Sequence, residues 1–140
     1  MANTSAQTIP NTSLTRINFN SIQFSTAGGS VTPNTTTDRF VVNTAGYYLI
    51  TASWVGSPFA KETYKQIYVY IYKNGSSAFY AKATVGDFLA NVPGFIQATE
   101  VLSLSAGDYI EMYVSQNTGG NISTFTDGST MPRMSVVRMY

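Results

Sequence analysis

From Gln66 to Lys73 the chain reads Gln-Ile-Tyr-Val-Tyr-Ile-Tyr-Lys, with aliphatic side chains at Ile67, Val69 and Ile71 and aromatic ones at Tyr68, Tyr70 and Tyr72. A repeat of two belongs to an extended strand, whose successive side chains point to opposite faces of a sheet. A helix, repeating about every 3.6 residues, would spread both sets around its circumference. Asn74-Gly75 follows at once. This pair best tolerates the positive φ needed at both central positions of a two-residue hairpin. Residues 78–85 are therefore expected to return antiparallel. One stretch thus commits the chain to a sheet with an aliphatic face and a tyrosine face.

The remaining segments repeat the pattern. Residues 14–24 set Leu14, Arg16 and Asn18 against Thr15, Ile17 and Phe19, with a break near Asn20-Ser21. Residues 25–38 are rich in Gly, Ser, Thr and Asn, contain Pro33, and read as a long loop. A short strand is expected at 39–43. Ala45-Gly46 then turns into a longer one at 47–55, where Tyr48, Ile50, Ala52 and Trp54 share one face and Tyr47, Leu49, Thr51 and Ser53 the other. Loops follow at 56–63, around Pro58, and after 78–85, where one holds Pro93 and Gly94. Strands are expected at 95–103 and 108–115, joined by a tight turn at Ala106-Gly107-Asp108. A polar loop at 117–132 precedes a last strand at 133–140. Roughly eight to ten strands with closely spaced turn residues are the mark of a β-sandwich, with no helix among them. A chain of 140 residues suits one domain.

The residue inventory leaves little chemistry to build with. There is no His, so no serine has an imidazole base, and no Cys for a disulfide, a thiolate metal site or a nucleophile. The seven carboxylates are Asp38, Glu62, Asp87, Glu100, Asp108, Glu111 and Asp127. None stands in a motif that marks a catalytic pair, and no Asp-rich loop marks a calcium site. Phosphate-binding and dinucleotide-binding glycine patterns are absent. No cofactor and no metal is expected, and the chain reads as a protein that is not an enzyme. Its eight Lys and Arg are scattered, for a net charge of +1, which argues against nucleic acid as a partner. No apolar run approaches the roughly 20 residues that span a bilayer, and the N-terminus lacks the basic and apolar regions of a signal peptide.

The tyrosine stripe is the informative feature. A solvent-facing strand side would carry Lys, Glu or Thr, whereas tyrosine is apolar in body and polar at its tip, which suits a protein interface. Residues 109–114 add to it, with Ile110, Met112 and Val114 on one face and Tyr109, Glu111 and Tyr113 on the other. A carboxylate among tyrosines calls for a neighbouring Arg or Lys, from this chain or another subunit, because an unpaired buried charge is costly.

Two segments carry a family likeness. Phe40-Val41-Val42-Asn43-Thr44-Ala45-Gly46-Tyr47-Tyr48 resembles the Phe-x5-Gly-x-Tyr core of the complement C1q signature. Leu102-Ser103-Leu104-Ser105-Ala106-Gly107-Asp108-Tyr109-Ile110 resembles a Leu-x-Leu-x-x-Gly-Asp stretch of C1q-like and tumour-necrosis-factor-like domains. The hairpin at Asn74-Gly75 also falls where those domains have one. The resemblance spans residues 14–140. It is distant: Pro33 stands where an aromatic or Leu is expected, and 133–140 lacks the closing Phe-x-Gly pattern. It implies an all-β jelly-roll sandwich of about ten antiparallel strands. It further implies a compact homotrimer with an aromatic-rich sheet at the threefold axis. Tyr48, Tyr68, Tyr70, Tyr72, Tyr109 and Tyr113 are the expected interface residues.

Jelly rolls of this kind recur in viral and bacterial surface proteins, and a fold alone does not fix a function. The short chain without a stalk reads as a bacteriophage capsid decoration, or cement, protein. Its partner would be the major capsid protein or another virion protein, and its place the capsid surface of the virion. The alternatives are a receptor-binding head at a tail-fibre tip or on a bacterial surface filament, and a lectin-like trimer. Residues 1–13, poor in large apolar side chains, read as an arm held by a neighbour, with Thr8, Ile9 and Pro10 as the attachment point.

Overall fold

A computed structural model describes residues 1–57, 66–84 and 93–140 of the chain. The expected loop around Pro58, together with Glu62 and Asp87, lies outside them.

The described residues form eleven strands and no helix: β1 (Thr8–Ile9), β2 (Thr15–Arg16), β3 (Val31–Asn34), β4 (Arg39–Val42), β5 (Gly46–Gly56), β6 (Gln66–Lys73), β7 (Ser76–Thr84), β8 (Gly94–Leu104), β9 (Tyr109–Gln116), β10 (Ile122–Ser123) and β11 (Arg133–Arg138). A small sheet runs β11-β5-β8. A larger one runs β3-β4-β9-β6-β7, with β2 added on β9, and β1 pairs with β10. Every pairing between these strands is antiparallel. The architecture is an all-β jelly-roll sandwich.

The alternation read from the sequence places the core. Ile67, Val69 and Ile71 of β6 are fully buried, as are Ile110, Met112 and Val114 of β9. Facing them from the small sheet are Tyr48, Ile50, Ala52 and Trp54 of β5 with Ile96 and Ala98 of β8. Each large aliphatic side chain taken out of water there contributes roughly 1.5–3 kcal/mol. The turns are where glycine and asparagine placed them. Asn74 and Gly75 have φ of 52° and 78°, and Gly107, between β8 and β9, has φ of 91°.

Four expectations are corrected. Residues 25–38 are not all loop: Val31–Asn34 form β3, whose Pro33 is tolerated because β3 is an edge strand. The loop at 117–132 holds β10. Of residues 14–24, only Thr15–Arg16 join a sheet, although Ile17 and Phe19 continue into the core. Residues 1–13 do not stand off as an arm. Met1, Ala2, Asn3 and Ile9 are buried within their own domain. The Met1 amine donates to Met134 O at 2.8 Å, and Asn3 Nδ2 to Asn18 O at 2.7 Å. Gln116 Nε2 donates to Ile9 O at 3.0 Å. Such a segment needs few apolar residues of its own, because sheet edges satisfy its backbone and one isoleucine anchors it.

Candidate functional site

Two outward sheet faces carry unusual side chains. The first is the outer face of the large sheet. Register sets Tyr70 between Tyr80 of β7 and Tyr113 of β9, and Tyr72 beside Glu111. The rings of Tyr68 and Tyr70 stack at 6.0 Å, Tyr70 and Tyr80 lie 5.7 Å apart, and Tyr72 and Tyr113 only 4.4 Å. Tyr68, Tyr70, Tyr72, Tyr109 and Tyr113 are each half-buried against such neighbours. Tyr80, which extends the cluster, escapes notice in the sequence because the residues two places to either side, Ala78 and Lys82, carry no ring. Burial first, and then the Glu111 charge, raises the Tyr113 phenol above its ordinary value of 10.0.

Glu111 is buried on this face, and its own chain pairs it. Arg39 Nη2 lies 3.1 Å and Arg16 Nη1 3.4 Å from its Oε1, while Arg16 Nη2 also reaches Asp38 Oδ2 at 3.4 Å. Asp38 accepts the Phe19 N–H at 2.7 Å, and the Arg39 guanidinium sits 4.2 Å over the Tyr109 ring. The charge that a partner subunit was one candidate to neutralise is therefore neutralised internally. Tyr109 belongs to this ionic group rather than to the ring cluster.

Tyr48 is the correction among the expected interface residues. It has no exposed surface, its ring lies between the sheets, and its hydroxyl donates to Thr44 O. Being an even-numbered residue of β5, it shares the inward face with Ile50 and Trp54. The expected attachment point is divided likewise. Thr8 is exposed and Pro10 half-buried, whereas Ile9 is enclosed in the core and unavailable to any partner.

The second face is the outer side of the small sheet, and the sequence reading did not single it out. Val137, Leu49 and Val101 fall in one row across β11, β5 and β8. They are 57%, 37% and 43% exposed. Tyr47 and Phe95 are exposed on the same face, and the Tyr140 ring lies 5.5 Å from that of Tyr47. The other rows carry polar side chains, Ser135 with Thr51 and Thr99, then Arg133 with Ser53 and Gln97. Along any one strand this reads as an ordinary solvent side, Tyr-x-Leu-x-Thr-x-Ser. The apolar row exists only once three distant strands are in register.

Among the described residues there is no group of three or more His, Cys, Asp or Glu that could hold a metal. Asp108 has a lowered carboxyl pKa, and its partners are structural. Asn74 Nδ2 donates to it at 2.8 Å, the Ser105 N–H at 2.8 Å, and Lys73 Nζ lies at 3.0 Å. These bonds, that from Asn74 first, lower it from 3.8 to about 2. Asp108 ties the β8–β9 turn to the β6–β7 hairpin. No helix of the described residues is long and apolar enough to cross a membrane.

No family's sequence profile matches the chain. An uncharacterized protein of Acanthamoeba polyphaga mimivirus is 30% identical over 112 residues, which are 79% of this chain and 45% of that protein. The chain thus spans less than half the length of the curated relative it matches. Among solved structures, the Eiger TNF of S. frugiperda superposes with a TM-score of 0.68 at 14% identity, covering 99% of this chain and 88% of that one. Rabbit GITRL gives a TM-score of 0.44 at 17% identity over 74% of this chain and 72% of its own. The superposition on the Eiger structure shows that the jelly roll is of the tumour-necrosis-factor type.

Proposed function

We propose that the chain is a non-enzymatic binding and structural protein that works as a homotrimer on the outside of a virus particle, as a capsid decoration protein. The observation that carries the trimer is the row Val137–Leu49–Val101. A sheet face with several large apolar residues exposed together is the kind of surface that a closed symmetric assembly covers. The C1q-like and tumour-necrosis-factor-like resemblance agrees with three copies. The mimivirus relative supports a viral setting. The partner on the particle would be the major capsid protein or another virion protein.

The small-sheet face is preferred over the tyrosine stripe as the trimer contact, because the tyrosines already shield one another. Light scattering of the purified chain should return three times the monomer mass. Leu49→Asp would place an unpaired charge in the contact, at a cost of several kcal/mol, and should leave monomers. Tyr70→Asp, on the other sheet, should remain trimeric. A monomeric parent chain, or a trimeric Leu49→Asp, would refute this assignment. A monomeric Tyr70→Asp beside a trimeric Leu49→Asp would return the contact to the stripe.

The capsid role is tested by adding the protein to particles stripped of their outer proteins and reading occupancy and heat resistance, both of which should rise. A second reading, the receptor-binding head of a longer fibre, has one observation in its favour: the viral relative is more than twice as long as the matched portion. Binding to host cells without binding to particles would establish it instead.

A further inference from the structure

The tyrosines of the large sheet meet across strands as well as along them. Tyr72 stands opposite Ser77 of β7 on one side and Glu111 of β9 on the other, and the pairing with β7 shifts register between Ile71 and Tyr72. Ser77 offers no ring, so the Tyr72 ring packs toward β9. There it meets Tyr113 at a centroid separation of 4.4 Å, with 38° between the planes. Aromatic pairs ordinarily sit roughly 4.5–7 Å apart. The pairs Tyr47–Tyr140, Tyr68–Tyr70, Tyr68–Tyr80, Tyr70–Tyr72 and Tyr70–Tyr80 all lie between 5.5 and 6.1 Å.

A contact this close has a chemical consequence. A tyrosine that gives up one electron and one proton becomes a radical, with much of its unpaired electron on the ring carbons ortho to the oxygen. Two such radicals in contact join at those carbons. The chain steers one-electron oxidation toward its phenols, because it has no Cys and its single Trp is enclosed in the core. Tyr80, at 55% exposed, is the open end of the cluster. From its ring Tyr70 is 5.7 Å away, and from Tyr70 the ring of Tyr72 is 6.1 Å away. Neighbouring phenols exchange an electron readily at such separations, so a radical formed at Tyr80 can migrate to Tyr72 and Tyr113. The Tyr113 phenol, raised above its ordinary value of 10.0, holds its proton at neutral pH. Its electron and proton therefore leave together.

We propose that Tyr72 and Tyr113 are the site of an oxidative cross-link, a dityrosine that fastens β6 to β9 when the protein meets a peroxide-driven one-electron oxidant. Each ring gives up one electron and one proton. A carbon–carbon bond forms between the two ortho carbons, and the hydrogen on each of those carbons moves to the phenol oxygen as the rings regain aromaticity. One hydrogen peroxide accepts the two electrons and two protons, its O–O bond breaks, and it leaves as two waters. Both rings are half-buried in one chain, on the sheet that the trimer contact does not use, so the inference rests neither on the trimer nor on the particle. The new bond closes a loop between strands distant in sequence, and this restricts the unfolded chain far more than the folded one.

The full chain, at low micromolar concentration, is treated with a haem peroxidase and hydrogen peroxide. Mass spectrometry then follows the intact denatured chain and its tryptic peptides. The product should be a single chain lighter by two hydrogens, with the peptide Gln66–Lys73 joined to the one that holds Tyr113. Tyr72→Phe and Tyr113→Phe keep the ring and its packing and remove only the phenol oxygen. Each should slow the cross-link by about tenfold or more, whereas Tyr68→Phe should leave its rate within about twofold of the parent. The cross-linked chain should melt several degrees above the untreated one. Products linked mainly between chains, or a Tyr47–Tyr140 link in place of the expected one, would overturn the proposal. So would parent-like rates in the two Phe variants, or no loss of hydrogen at all. A cross-linked chain that melts like the untreated one would overturn the fastening of β6 to β9.

Discussion

Gly56 ends β5 two residues after Trp54, on the same inward face, and the indole lies across it. A Cβ at Gly56 would sit 2.1 Å from Trp54 Cη2, which has no room to move in a filled core. Gly56→Ala is therefore expected to lower stability by about 1–3 kcal/mol, the usual cost of overpacking, as read from denaturant or thermal unfolding. An unchanged midpoint would show that the ring can turn aside. The sequence offers no sign of this contact, because Trp-x-Gly has no distinctive local meaning. Glu111 is a different case. That it needs a cation is evident from its tyrosine neighbours. Which cation it finds is not, since Arg16 and Arg39 lie 95 and 72 residues away along the chain. Tyr48 shares a face with Ile50 and Trp54 and lies in the core, against its expected place at the interface. Parity along β5 was the better guide.

Among the elements, those that were legible are the long alternating ones. The strands β5, β6, β8 and β9 run eight to eleven residues, so the period of two repeats often enough to stand out. The pairs β1, β2 and β10 have two residues each, too short for any period, and exist only because another strand is waiting for them. Hence residues 1–13 looked separable and are not. Deleting residues 2–9 removes Ile9 from the core and the Asn3 bond to Asn18. It should lower the melting temperature by several degrees or more, with binding to any partner a secondary effect. A truncated chain that melts like the parent would restore the view of a detached arm. The latch between the two turns gives a pH dependence. Asp108 titrates near 2 when folded and at an ordinary 3.8 when not. The folded state is thus favoured by the ionised carboxylate. Its contribution is whole above about pH 4 and drains away as pH falls through 2. Asp108→Asn should accordingly melt below the parent at neutral pH, and the difference should shrink as acid is added. A difference independent of pH would mean that the side-chain geometry, not its charge, holds the turns together.

At the level of the whole molecule, the sandwich shows two unlike exteriors. One sheet wears interlocked tyrosines over an internal ion cluster, and the other a bare aliphatic row in a polar surround. The β-sandwich itself was readable, because every inward face follows from alternation and the turns from Asn-Gly and Ala-Gly-Asp. The assignment of the apolar row was not, since it depends on register between strands separated by tens of residues. Separating loss of assembly from loss of fold is the practical difficulty in testing any of this, and the chain carries its own means of doing so. Its single tryptophan, Trp54, has no exposed surface and faces away from the apolar row. Emission from an indole shielded from water lies at short wavelength and moves to the red when water reaches it. Trimers that merely come apart through Leu49→Asp should keep the blue emission of the parent, whereas an unfolded chain should lose it. The same cuvette then distinguishes a dissociated jelly roll from a denatured one without any added dye.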